Sequence, residues 1–217
     1  MAVNFVHYRT INTVIILGVI LMATPYKTKQ PVYLKDPSGR LDSGLGSNCL
    51  NFPFTPTISV IQSANYSSYD LTHTNFQQRA FDSHTNMDLA VTAPMIVRSA
   101  EEAEYVYNAG LFLRGAMKMT FGQDEDPGMP PPVLRFYSHG IYENVPCVIR
   151  DFTWNLDADI DYVETTIGSD DKKHKIRVPV YNIFVLSIST TYSPKDVREK
   201  FSVNEYLKGN LRNEGYV

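Results

Sequence analysis

Between Lys118 and Glu164 the chain reads as a helix end, a stiff turn, a strand, a hairpin and a second strand: KMTFGQDEDPGMPPPVLRFYSHGIYENVPCVIRDFTWNLDADIDYVE. The run GMPPP at 128–132 is what constrains the fold most. Consecutive prolines supply no backbone donor and hold an extended conformation, so they can neither prolong a helix nor pair inside a sheet. A helix must therefore stop before them, and the strand pattern from Val133 onward must start at a fixed bend.

The helix that stops there spans Ser99–Met119. Ser99 caps it and Glu102, three residues on, completes a capping box. Glu101, Glu102 and Glu104 lie in the first turns and Arg114 and Lys118 near the other end, which suits the helix dipole at both termini. Ala103, Val106, Gly110, Leu113 and Met117 recur at helical spacing and form a stripe that packs on a sheet. Tyr105, Phe112 and Met119 fall off the stripe and are expected to form a second apolar face, suited to a neighbour. Phe121-Gly122 ends the element, with Gly122 free to turn left-handed.

Strands dominate elsewhere. Thr57–Asn65 is a strand with Ile58 and Val60 on one face. Asn75–Val91 is a long strand or a hairpin whose polar face, rich in Gln, Asn, His, Ser and Thr, suits water. Val133–Ser138, Val145–Trp154 and a long Ile176–Tyr192 follow, the last rich in β-branched residues. The predicted fold class is mainly β with one flanking α-helix, an antiparallel β-sandwich or barrel. Residues 1–23 form an apolar N-terminal segment and 24–56 a Pro/Gly-rich arm anchored by Val32, Tyr33, Leu34, Leu50, Phe52 and Phe54. Residues 57–193 form the main domain, and 194–217 a C-terminal tail or short helix. With 217 residues, 43% of them hydrophobic, the chain can bury a sizeable core.

The apolar run Val14–Ala23 is about half of the ~20 residues a membrane-spanning helix needs. It reads as a signal-peptide core, as a buried strand or docked helix, or as sequence upstream of a start at Met22. A net charge of −3 gives no reason to expect sequence-wide nucleic-acid binding.

Residue types that do chemistry are sparse. Cys49 and Cys147 show no metal-ligand spacing and read as two thiols, with a disulfide as the alternative. His7, His73, His84, His139 and His174 are scattered without ligand spacing. Asp157, Asp159 and Asp161 alternate, so in a strand they would share one face. No calcium-loop glycine or glutamate follows, and they read as acids on a wet strand edge. The GLGS at 44–47 lacks the Lys-Ser/Thr end of a phosphate loop and reads as a turn. The charged GSDDKKHK at 168–175 reads as a solvated loop. No catalytic, cofactor-binding or metal-binding residue is assigned, and the expectation is that the protein is not an enzyme.

In the order of these features the chain resembles the baseplate tail-tube initiator and tube-cap proteins of contractile-tailed bacteriophages. The likeness lies in EAEYVYNAGLFLRGAMKMTFG, GMPPPVLRFYSHG, VPCVIRDFTWNLDADIDYVE and VPVYNIFVLSISTTYSP, and in outline from residue 57 onward. It implies a tail-tube-like fold in which six copies close a ring whose strands line a lumen, with DNA passing through and no specific nucleic-acid binding. It implies a virion location, assembly in the host cytoplasm, and the tail tube protein, baseplate hub proteins and the tape-measure protein as partners. The same fold would serve a main tube protein or a tube terminator. The helix 99–119 and the strand 178–192 are expected at intersubunit contacts, and the arm and tail between rings. Two other readings stay open. One is a secreted β-sandwich binding module with an oxidised Cys49–Cys147 pair. The other is a hydrolase working through Asp157, Asp159 or Asp161.

Overall fold

A computed structural model describes residues 32–41, 43–46, 48–122, 124, 126–168 and 173–217, so the apolar run Val14–Ala23 and the first part of the expected arm lie outside the described residues. Strands make up 42% of the structure and helices 17%. Seven strands build one open antiparallel sheet: β1 (Val32–Lys35), β2 (Cys49–Asn51), β3 (Thr57–Ile61), β6 (Asp88–Ile96), β7 (Leu134–Ser138), β8 (Tyr142–Trp154) and β11 (Tyr181–Thr190). Their order is β2-β1-β7-β8-β11-β6-β3. Two hairpins stand apart from the sheet, β4 (Ala64–Tyr69) with β5 (Gln78–His84), and β9 (Tyr162–Ile167) with β10 (His174–Pro179).

Strict alternation along the central strands sends one set of side chains inward. Leu89, Val91, Ala93 and Met95 on β6 and Phe184, Leu186 and Ile188 on β11 are buried, and their sequence neighbours face outward. Helix α1 (Ala100–Gly115) contributes Ala103, Val106, Ala109, Phe112 and Leu113 to the same core. Ser99 caps α1 as expected, accepting a hydrogen bond from the Glu102 amide at 3.2 Å. The Glu102 carboxylate reaches past the cap and accepts from the Arg98 amide at 2.7 Å. Gly110 is needed where α1 crosses Trp154: a Cβ there would sit 2.9 Å from the indole ring.

Several expected elements differ. Tyr105 and Phe112 form no outer face, because both are buried in the chain's own core. Tyr105 also binds edge strand β2, its hydroxyl donating to the Asn51 carbonyl at 2.5 Å and accepting from the Asn51 amide at 3.1 Å. The helix stops at Gly115 rather than Met119, because Thr120 is drawn into a loop closed by Gly128 and Met129 through backbone bonds of 2.8 and 3.0 Å. Two pieces of the expected arm from residue 32 on are sheet strands: Val32, Leu34, Leu50 and Phe52 anchor β1, β2 and the residue after β2 in the core. Between them Asp36 is buried, its carboxylate accepting from the Ser38 amide and hydroxyl and the Leu41 amide at 2.6–3.0 Å.

The long strand expected over Ile176–Tyr192 is two strands. At Val180 the chain changes partner: its amide donates to Asp161 and its carbonyl accepts from Val97, at 2.8 and 2.7 Å. β10 thus leaves the sheet and pairs with β9, and this hairpin packs its Val178 into the core beside α1. Asn182 holds the break. Its amide nitrogen donates to the Pro179 carbonyl at 2.7 Å, and its oxygen accepts from the Trp154 indole at 2.9 Å. The stretch Asn75–Val91 is likewise interrupted, at Thr85–Met87. There Thr85 bonds Ser63 through amide and hydroxyl, and Asn86 donates to the Thr190 carbonyl.

After β11, α2 (Pro194–Lys200), α3 (Val203–Leu207) and a 3-10 turn at Arg212–Glu214 fold back along the root of the sheet. Tyr216 stacks on Tyr192 at 5.2 Å, and the Tyr192 hydroxyl donates to the Gly215 carbonyl at 3.0 Å. Gly215 takes φ 86°, and a Cβ would lie 2.3 Å from the Asn144 carbonyl oxygen, so only glycine lets the tail approach β8 this closely.

Candidate assembly interface

The β4–β5 ribbon is the least covered part of the described chain. All seven residues of β5 and five of the six on β4 are exposed. Its cross-strand bonds are local: Asn65 to Ser83, Ser67 to Asp82, and Gln77 to Asp70 at the tip. Tyr66 and Phe81 meet edge to face at 5.7 Å, yet both rings remain more than half exposed. The tip presents Leu71 at 52% and Phe76 at 84% exposure. His73 turns there with φ 62°, the left-handed region. A two-stranded hairpin without a covering layer is marginal in water, so the ribbon depends on the sheet it grows from.

At the ribbon's root an apolar cleft of about 740 Å³ opens toward the C-terminal helices. Phe81, Met87, Val197, Phe201, Val203 and Tyr206 line it, together with the polar Gln62, His84 and Asn86. No Asp, Glu, Lys or Arg lines it. Neither α2 nor α3 buries a residue, and Val203 and Leu207 are 61% and 77% exposed. The sequence pattern marked this segment as a helix or docking tail. The Val197–Phe201 pair, four residues apart, was the one signal for an apolar side, and Tyr66, Tyr69 and Leu71 gave none because they fall among polar residues.

The outer face of the sheet is also open. Tyr181, Ile183 and Val185 on β11 are exposed there, opposite Ile96, Pro94 and Thr92 on β6. Farther along, Asp88 accepts from Ser189 and pairs with Arg150 at 3.1 Å. Among the described residues the sheet ends in two unpaired edges, β2 and β3, and closes no barrel.

The residues considered for chemistry are not brought together. Asp157, Asp159 and Asp161 lie in the exposed connection between β8 and β9, not in a strand, so they share no strand face. Among the described residues no group of His, Cys, Asp and Glu could hold a metal ion. His73 sits at the ribbon tip, His84 at its root, His139 in the β7–β8 turn and His174 at the start of β10, while His7 lies outside the described residues. The GLGS segment is a turn, with Gly44 and Gly46 at φ 75° and 83°. Of the 168–175 loop, residues 169–172 lie outside the described residues and His174–Lys175 belong to β10. Lys175 donates to Glu164 at 2.9 Å, and that hydrogen bond holds the Glu164 carboxyl below its usual range.

The cysteines are both free. Cys147 is buried on β8, Cys49 is half-buried on β2, and strands β1 and β7 separate them. The disulfide expected of a secreted module is therefore not formed. Burial pushes the Cys147 thiol up to about 12 and the Cys49 thiol up to about 11, which keeps both protonated near neutrality and unsuited to nucleophilic work. No helix among the described residues is long and apolar enough to cross a membrane.

No protein-family model matches the chain, and no curated protein matches it.

Proposed function

We propose that this protein is a structural subunit that assembles with copies of itself into a ring. On the sequence resemblance, we further propose that the ring is the hexameric tail-tube initiator of a contractile-tail baseplate. It would sit on the central hub, present a template for tube protein and leave a lumen for DNA. The observation that carries the assembly reading is the β4–β5 ribbon, a regular two-stranded element exposed on both faces. Fold-stabilising residues are rarely spent on a ribbon that covers nothing, whereas a partner's surface would complete it. The open edges β2 and β3 and the exposed apolar patch on β11 favour the same reading, since edges left free in a monomer invite pairing. Joining such edges around a symmetry axis would remove them.

The test is the native mass of the purified protein, alone and mixed with its candidate tube protein. A closed ring, or tubes growing on mixing, is the expected result. A ring that never nucleates tube protein would leave a self-assembling subunit without the initiator role. A stable monomer with no effect on tube growth would remove both.

A further inference from the structure

The ribbon tip exposes Leu71 and Phe76, and the root cleft exposes Phe81, Phe201, Val203 and Tyr206, with nothing among the described residues filling either. The tip segment from Leu71 to Phe76 carries no Asp, Glu, Lys or Arg, and neither does the cleft. They cannot meet intramolecularly. A strand rises about 3.3 Å per residue, so the ribbon holds its tip roughly 20 Å beyond its own root. We propose that Leu71 and Phe76 at the tip of one copy seat in the cleft between Phe81, Phe201, Val203 and Tyr206 of a second copy. This rests on the assembly reading above and names the contact through which the copies meet.

Size, area and charge argue for that occupant. A cleft of about 740 Å³ falls within the roughly 300–1,000 Å³ range of sites that enclose a small ligand, ample for a Phe and a Leu side chain. On the inserting ribbon Tyr66, Tyr69 and Phe76 are 54–84% exposed. At roughly 150–250 Å² per aromatic side chain these three offer about 400 Å², half of the ~800 Å² per partner that a stable interface buries. Seating Leu71 and Phe76 in this cleft strips no Asp, Glu, Lys or Arg side chain of water, whereas the neighbouring hollow lined by Arg135, Asp196, Lys200 and Glu214 would impose that cost. Tip and cleft are different patches of one surface, so the contact is heterologous and repeats head to tail, the geometry that generates a ring when the rotation closes.

Two single variants, Phe76→Cys and Val203→Cys, mixed and oxidised, test the contact directly. A cross-linked heterodimer is expected from this pair. No cross-link, or an equal yield when Leu156→Cys in the exposed β8–β9 connection replaces Val203→Cys, overturns the proposal. In parallel, Phe76→Asp is expected to weaken self-association at least tenfold while leaving thermal unfolding of the monomer unchanged. If wild type forms a ring and Phe76→Asp forms it equally well, this contact is wrong and the assembly reading stands. If wild type stays monomeric at every concentration and with tube protein present, both fall.

Discussion

Helix α1 and the β4–β5 ribbon are both hydrogen-bonded elements outside the main sheet, and the fold treats them oppositely. α1 lays Val106, Ala109, Phe112 and Leu113 into the core and ties itself to β2 through Tyr105. The ribbon lays nothing down. Its aromatic rings, Tyr66 and Phe81, meet each other edge to face and remain more than half exposed. Regular hydrogen bonding alone therefore says little about what an element is for. The difference lies in whether the side chains find a surface among the described residues, and it divides the molecule into a part that packs on itself and a part that stays exposed.

The sharpest way to break this comparison is truncation in each region. Phe184 is fully buried and meets Phe152 and Trp154 edge to face, each at 5.2 Å. Phe184→Ala is expected to cost about 3–5 kcal/mol in denaturant unfolding. A loss below about 1 kcal/mol would mean the core is not packed as described. Asn182→Ala strands the Trp154 indole and the Pro179 carbonyl at the β10–β11 break, with an expected cost of about 1–3 kcal/mol. Stability unchanged in that variant would show that the break needs no polar anchor.

A third expectation concerns pH. Cys147 has a folded pKa raised to about 12 from an ordinary value near 9, with burial as the first cause. Its contribution is therefore complete below pH 9 and is lost as pH rises toward 12. The slope for this one group is about 1.4 kcal/mol per pH unit. Unfolding measured from pH 8 to 11 should fall more steeply for wild type than for Cys147→Val, and parallel curves would reject the assignment. The smallest expected effect is on the ribbon. Phe76→Ala should shift monomer stability by no more than about 0.5 kcal/mol, since its ring is 84% exposed among the described residues. A large shift would mean the tip supports its own fold, and the contrast with α1 would collapse.

Much of this was legible before any coordinates. The helix start at Ser99, the stripe from Ala103 to Leu113, the proline turn and the strands after it follow from caps, spacing and fixed φ angles, which act over a few residues. So does the mainly β class. Three things needed the tertiary structure. Residues 32–52 read as an arm because proline and glycine dominate the local pattern, yet Leu34 enters the sheet by pairing with β7, roughly a hundred residues away, and Leu50 by pairing with Leu34. The run 176–192 shows unbroken β propensity, and only the competition between β6 and β9 for its backbone splits it at Val180. Tyr105 and Phe112 looked like a second face of α1 because a helix drawn alone does not show what wraps it. Local sequence determines which conformation each segment prefers. Which side of that segment is spent on the fold, and which is left exposed, depends on surfaces brought together from distant parts of the chain.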